Sequence, residues 1–429
     1  MEKRVYPRLD EQVVWDRLPN GLQIAVVPHP GFTKKLAYFV TDFGSVHCRF
    51  TRDGQACAVP AGIAHFLEHK LFDMPGRDIT AEFAALGAVP NAFTSYDMTA
   101  YYFSCTESFD KCLALLLEFV STGYFTEESV EKEQGIIGQE IDMNRDNPDT
   151  RIFEQLMEAM YENHPIRQPI LGTRQSIGAI TPEALTLCHS TFYRPDNMLL
   201  CVVGDVDPEQ VRQIALTTLP EVTAADIQLP RQWQEDMTCP QDNVTARMEV
   251  AMPIFQLGFK CEPLGKGADA VRQELIGDLA AEALFGESSE LYLQLYQQGL
   301  IDSSFGGGFE TVEGMAMLTA SGDSDDPEAV RDAILSRAEQ LAKTPLPQQD
   351  FLRMKRSAMG RRLRALDSFD STAFRICAYH FSGFDYFCFP EIYQTITTSD
   401  IQEFLHRVVT PQRLCLSVIY PIEEGNYER

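Results

Sequence analysis

No two cysteines in the chain are spaced C-x-x-C, and the eleven that are present are scattered singly. This excludes zinc ribbons and redox dithiols, and the odd number argues against a disulfide framework. The cysteines read as reduced core residues, so a cytoplasmic protein is expected. Long apolar runs are also missing. Cys112-Leu113-Ala114-Leu115-Leu116-Leu117 is among the longest and falls far short of a membrane span. The first residues, Met1-Glu2-Lys3-Arg4-Val5-Tyr6-Pro7, lead into no apolar h-region, so no secretory signal is expected. Cations are scarce: 36 Lys and Arg stand against 62 Asp and Glu, for a formal net charge of -26 and a pI near 4.7. Neither a nucleic-acid backbone nor an anionic membrane is an expected partner for so acidic a chain.

Hydrophobic residues make up 45% of the sequence and charged residues 23%, as in a globular protein. The 429 residues exceed one ordinary core, and two to three domains are expected. Within this background one stretch stands out, Gly62-Ile63-Ala64-His65-Phe66-Leu67-Glu68-His69-Lys70-Leu71-Phe72. At about 100° per residue, His65, Glu68 and His69 fall on one helix face, while Ile63, Phe66, Leu67 and Leu71 make the rest apolar. A glutamate buried between two histidines is costly unless something neutralises it. A divalent cation would do so, with the histidines as ligands and the carboxylate free to act on a water. The competing reading is a pair of core histidines bonded to carbonyls.

Around this helix the pattern alternates strands and helices. Leu22–Val27 and Lys35–Val40 read as strands of a hairpin, separated by the breakers Pro28-His29-Pro30-Gly31. Asp78–Leu86 reads as a short helix, and Asn91–Tyr96 with Thr99–Ser104 as two strands meeting at Asp97-Met98. Residues 107–120 and 126–142 read as helices, the second with Thr126 as N-cap. The second helix carries Glu133 and Glu140, which project from nearly the same face two turns apart. Either could reach a metal held by the His helix; a solvated acidic face is the plainer alternative. His29 and His47 read as surface or loop residues, and His380 and His406 as ordinary structural ones.

His65-Phe66-Leu67-Glu68-His69 followed by Glu133 and Glu140 resembles the inverted-zinc-motif (HxxEH) peptidases, the M16 superfamily of pitrilysin, insulin-degrading enzyme and mitochondrial processing peptidase. Further matches are Asn91-Ala92-Phe93-Thr94 with Thr99 and Tyr101, His164-Pro165 with Ile170-Leu171-Gly172-Thr173, and Phe192–Met198 with Val203–Val206. The resemblance is specific over residues 20 to 210, and is strongest to short bacterial members that pair with a second, related subunit. It implies an α+β fold of two homologous α/β-sandwich domains, mainly antiparallel sheet with helices packed on it, facing each other across a chamber. It implies one Zn2+ per chain on His65, His69 and Glu140, with Glu68 as general base and Glu133 as the carboxylate holding a ligand histidine. Asn91, Ala92 and Phe93 would bind an extended peptide by main-chain pairing.

In the second half, Pro220, Pro230 and Pro240 mark a linker, Met248–Phe259 reads as a strand and Glu274–Phe285 as a helix. Pro411–Val418 echoes Pro195–Val202, so the second half reads as a degenerate repeat of the first. The expected domains are 1–222, a linker 223–246, and 247–429. Matching Leu284-Phe285 to Leu71-Phe72 puts Asp278, Ala281 and Glu282 at the metal-site positions, leaving no imidazole. Relatives that cleave alone carry an Arg and a Tyr seven residues apart in this half. Here Leu295 and Asp302 stand in those places, so the resemblance implies a partner subunit that supplies both groups. Gly306-Gly307-Gly308 reads as a strand bulge, and the basic run Arg353–Arg364 as a solvated helix face. The expected function is a zinc endopeptidase acting on extended peptides; the alternative is a catalytically silent docking subunit.

Overall fold

Met198–Gly204 is buried at every residue, and the first sheet is assembled around it. The computed structural model describes residues 1–221, 225–230 and 233–422, so the expected linker 223–246 and the domain ends at 222 and 429 lie partly outside the described residues. Strands β1 (Glu2–Tyr6), β2 (Glu11–Arg17), β3 (Gln23–Pro28), β4 (Lys35–Thr41), β5 (Ala88–Thr94), β6 (Thr99–Cys105) and β7 (Met198–Gly204) form one sheet in the order β1-β2-β3-β7-β4-β6-β5. A strand buried on both faces reads as a continuous apolar run, and Met198-Leu199-Leu200-Cys201-Val202-Val203 takes an interior position accordingly.

The expected hairpin of β3 and β4 does not form. β7 lies between them, parallel to β3 through Leu199 opposite Gln23 and antiparallel to β4 through Leu200 opposite Phe39. The His29–Lys34 connection spans two strand spacings, about 9.5 Å, which a tight turn could not. The strands read at 91–96 and 99–104 do pair directly, as β5 and β6, and β5 is the sheet edge. On one face of the sheet, α1 (Ile63–Leu71) buries Ile63, Phe66, Leu67 and Leu71 against Phe39, Tyr101, Phe103 and Leu116. The helix α2 (Glu127–Arg145) follows, its Thr126 hydroxyl accepting the Ser129 N–H at 3.2 Å.

A second sheet contains β8 (Asn243–Met248), β9 (Ile254–Cys261), β10 (Gly306–Val312), β11 (Met315–Asp323) and β12 (Leu414–Pro421), ordered β8-β12-β9-β11-β10. Its β12 is parallel to β8 and antiparallel to β9, so it repeats the β3-β7-β4-β6-β5 arrangement strand for strand. The internal repeat read from Pro411–Val418 is therefore present in the topology. Two local readings are corrected. Met248–Phe259 is two strands, broken before Ile254 where Pro253 has no N–H to donate. Gly306–Gly308 is regular ladder with Gly307 opposite Ala320, not a bulge. The glycine is required because a Cβ at 307 would lie 2.3 Å from the Phe285 ring and 2.5 Å from the Thr319 carbonyl.

The compact units also differ from the contiguous domains 1–222 and 247–429. One comprises Met1–Ile141, Pro169–Pro230 and Arg362–Cys388, the other Asp142–Gln168, Arg231–Arg361 and Phe389–Arg429. Helix α3 (Pro148–Met160) thus belongs with the second sheet, where Gln155 Nε2 donates to Ser417 Oγ at 2.8 Å and Ser417 Oγ to the Ile152 carbonyl at 2.9 Å. Helix α4 (Gly267–Phe285) packs on the same sheet through β10. The later helix α5 (Phe369–Phe381) belongs with the first sheet and packs on β4 and β7. A Cβ at Gly258 would meet Met160 Sδ at 2.7 Å, so a side chain there must displace the Met160 thioether that α3 packs against β9. Gly258→Val is expected to lower unfolding stability by about 1–3 kcal/mol in chemical denaturation, as overpacking does. Unchanged stability would contradict the packing of α3 on β9.

Candidate metal centre

Helix α1 begins at Gly62, whose φ of 90° is left-handed and whose Cβ would lie 2.4 Å from the Leu171 carbonyl. Only glycine tolerates both conditions. A Cβ on Gly172 would likewise lie 2.5 Å from the Ala61 carbonyl, and a Cβ on Gly138 of α2 would lie 2.6 Å from the Arg174 guanidinium. The short segment 171–174 therefore touches both the start of α1 and the middle of α2.

Between these helices His65, His69 and Glu140 converge, with one ligand-type atom of each lying within 4.8 Å of the others. His65 Nε2 is 3.7 Å from Glu140 Oε1, and His69 Nε2 is 3.6 Å from Glu140 Oε2. Those separations are too long for hydrogen bonds. They suit atoms sharing a metal ion, since bonds of about 2.1 Å in tetrahedral geometry put ligands about 3.4 Å apart. His65 is 7% exposed, and its Nδ1 is buried without a hydrogen-bond partner among the described residues. Behind His69, Glu133 Oε1 sits 2.9 Å from Nδ1. That bond places the ring proton on Nδ1 and turns the Nε2 lone pair towards Glu140. Two imidazoles and one carboxylate, with a second carboxylate behind one ring, fit Zn2+.

Burial, reinforced by His69, pushes the His65 pKa down to about 3, so the ring is neutral near pH 7. Burial would also lower His69, but the Glu133 hydrogen bond and the charges of Glu133, Glu68 and Glu140 outweigh it and raise the pKa. Burial raises the Glu68 pKa, opposed by a hydrogen bond from Thr94 and by His69. In that bond Thr94 Oγ1 donates to Glu68 Oε2 at 2.6 Å. Thr94 carries a site role that sequence reading missed; its signal was only its place at the end of the Asn91 strand.

Asn91, Ala92 and Phe93 lie on edge strand β5, exposed or half-buried, and the Asn91 side-chain oxygen accepts the Ala92 N–H at 2.9 Å. His47 lies in a loop, as read, but not at the surface. It is 2% exposed, accepts the Gly44 N–H on Nδ1 and stacks against Phe43 and Phe192. In the repeat, Leu295 is buried within the helix Glu290–Gln297, and exposed Asp302 accepts the Ser304 N–H, so neither offers a cation or a phenol. Glu282, at the position matching His69, pairs with Arg361 at 2.6 Å. Among the described residues, His65, His69 and Glu140 are the one group of three side chains placed to hold a metal ion.

A helix bearing two histidines around a glutamate, closed by a carboxylate from a second helix and carried on a duplicated α+β fold, defines the architecture of the inverted-motif metallopeptidases. The chain belongs to the M16 peptidase family. The model for insulinase, peptidase family M16, matches residues 58–174, and that for the peptidase M16 inactive domain matches residues 179–358. The uncharacterized zinc protease YmfH of Bacillus subtilis is 37% identical over 427 residues, covering 97% of this chain and 98% of the relative. The crystal structure of an M16-like peptidase from Alicyclobacillus acidocaldarius superposes with a TM-score of 0.92 at 32% identity, covering 96% of this chain and 99% of that one. A Helicobacter pylori protease shares the fold, with a TM-score of 0.82 at 20% identity over 96% of this chain and 100% of its own. Among the described residues no helix is long and apolar enough to cross a membrane.

The two histidines impose opposite pH dependences on the metal-free protein. His65, held near 3 against an ordinary 6.5, takes up its proton on unfolding, so its contribution to stability is lost as pH falls from 6.5 towards 3. His69, with its raised pKa, contributes stability below 6.5 that is lost as pH rises through the raised value. Chelator-treated protein is therefore expected to lose stability more steeply between pH 6.5 and 4 than chelator-treated His65→Phe. Parallel denaturation curves would contradict a buried neutral His65.

Proposed function

We propose that this chain is a zinc-dependent endopeptidase acting on extended peptides or short unfolded polypeptides, and that it works in the cytoplasm. The observation carrying this reading is the convergence of His65, His69 and Glu140 with the Glu68 carboxylate alongside on the same helix. His65, His69 and Glu140 hold one Zn2+ per chain, and Glu133 orients His69. The ion supplies Lewis acidity, which polarises a peptide carbonyl and makes a water more acidic. Glu68 takes the proton of the attacking water and returns it to the leaving amine. Asn91, Ala92 and Phe93 pair with the substrate main chain along the free side of β5, so side-chain pockets set the preference.

At the two places the resemblance points to, Leu295 and Asp302 offer neither a cation nor a phenol to stabilise the tetrahedral intermediate. A related M16-like subunit supplies them, and the working species is a heterodimer. The second reading, a silent docking subunit, draws on the same two residues and on the match to the inactive-domain model.

Metal analysis is expected to find about one zinc per chain, and His65→Ala to abolish or weaken its retention. A zinc-free native protein would defeat the ligand assignment. Glu68→Gln is expected to retain zinc while reducing kcat of the assembled enzyme by at least about 10²-fold; unchanged turnover would remove Glu68 from the mechanism. The purified chain alone is expected to cleave peptides weakly and to be activated by its partner subunit. Robust cleavage without a partner would overturn the heterodimer.

A further inference from the structure

We propose that Thr94 is a positioning residue that couples substrate docking on β5 to the placement of Glu68; this rests on the peptidase reading above. Thr94 Oγ1 lies 2.6 Å from Glu68 Oε2. An ionised carboxylate only accepts, so the hydroxyl donates, and the length is that of a charge-assisted bond. It occupies one carboxylate oxygen and leaves Oε1 for the reacting water. The donor is well fixed. Thr94 is β-branched, which restricts χ1, and it pairs across the ladder with Thr99, whose own hydroxyl donates to the Phe43 carbonyl at 2.8 Å.

Thr94 is also the last residue of β5, immediately after Asn91, Ala92 and Phe93. Among the described residues β5 is paired on one side only, with β6, so its other side is where an extended peptide would add as a further strand. Adding a strand orders the edge backbone. A shift or stiffening of β5 on docking therefore reaches the carboxylate through the Thr94 hydroxyl. Among the described residues, the Thr94 hydroxyl is the one hydrogen-bond donor to the Glu68 carboxylate.

Thr94→Val keeps the branch and volume but removes the donor; Thr94→Ser keeps the donor. In the assembled enzyme, Thr94→Val is expected to lower kcat about 10- to 100-fold, with KM within about twofold and zinc content unchanged. Thr94→Ser is expected to restore kcat to within about threefold of the parent. In a Glu68→Gln background, Thr94→Val is expected to add nothing, because both changes remove the same function. The proposal is overturned if Thr94→Val keeps the parent kcat, if its effect appears in KM or zinc content instead, or if it is additive with Glu68→Gln. An assembled parent enzyme that binds zinc but cleaves no peptide overturns the peptidase reading, and this coupling with it.

Discussion

The contact between His69 Nδ1 and Glu133 Oε1 is the one on which the centre depends. It is a short, charge-assisted bond in a half-buried setting, and it joins two helices that are otherwise separate in sequence. Once Glu133 holds the back of the imidazole, the front faces Glu140, because seven residues along α2 bring a second carboxylate to the same side. The acidic pair thus divides its labour by depth. Glu133 is 9% exposed and shielded against the ring, while Glu140 stands at the open side, 39% exposed at its side chain. A buried carboxylate next to a half-buried imidazole is tolerable because each satisfies the other.

Much of this was legible from residue order. The His helix declared itself because its apolar and polar positions obey one period, and its geometry needs nothing from elsewhere to be read. Glu133 and Glu140 were legible as a pair by spacing, and the resemblance to the M16 peptidases assigned each its part. What could not be read is non-local. β3 and β4 look like a hairpin because the strand that separates them, β7, lies far downstream. The amphipathic stripe of α3 is the same whichever sheet it covers, so nothing in it announces that it packs with the second sheet. His47 is a loop residue as read, and that its loop is buried could not be read, because Phe192 reaches it only through the fold. Thr94 was visible as strand and invisible as a partner of Glu68, since a strand pattern does not say which helix it will face.

The second half shows what duplication kept and what it gave up. Strand order and sense are retained, and α4 occupies the place of α1 on its sheet. The chemistry is replaced by charge of the opposite kind: where the first half brings His69 to Glu140, the second brings Glu282 to Arg361. That pair is partly exposed, with side chains 25% and 51% accessible, so it contributes at most about 1 kcal/mol. It bridges α4 and the helix Gln348–Ala365 without offering a metal an imidazole to bind. The basic run Arg353–Arg364 is in this respect not only a solvated face, because Arg361 from it closes the vacated position.

The segment 171–174 carries a consequence for how the protein is made. It presses against Gly62 and Ala61 at the start of α1 and against Gly138 in α2, and the sheet beneath α1 lacks an interior strand until Met198–Gly204 is in place. During synthesis, both histidines and both glutamates leave the ribosome well before the residues that hold them in register. The nascent chain therefore carries these imidazoles and carboxylates unassembled through the making of some sixty further residues, a count on the order of the distance from α2 to the end of β7. His65, His69 and Glu140 come together only once the first sheet is assembled, and what keeps them from one another before then is their separation along the chain rather than their burial.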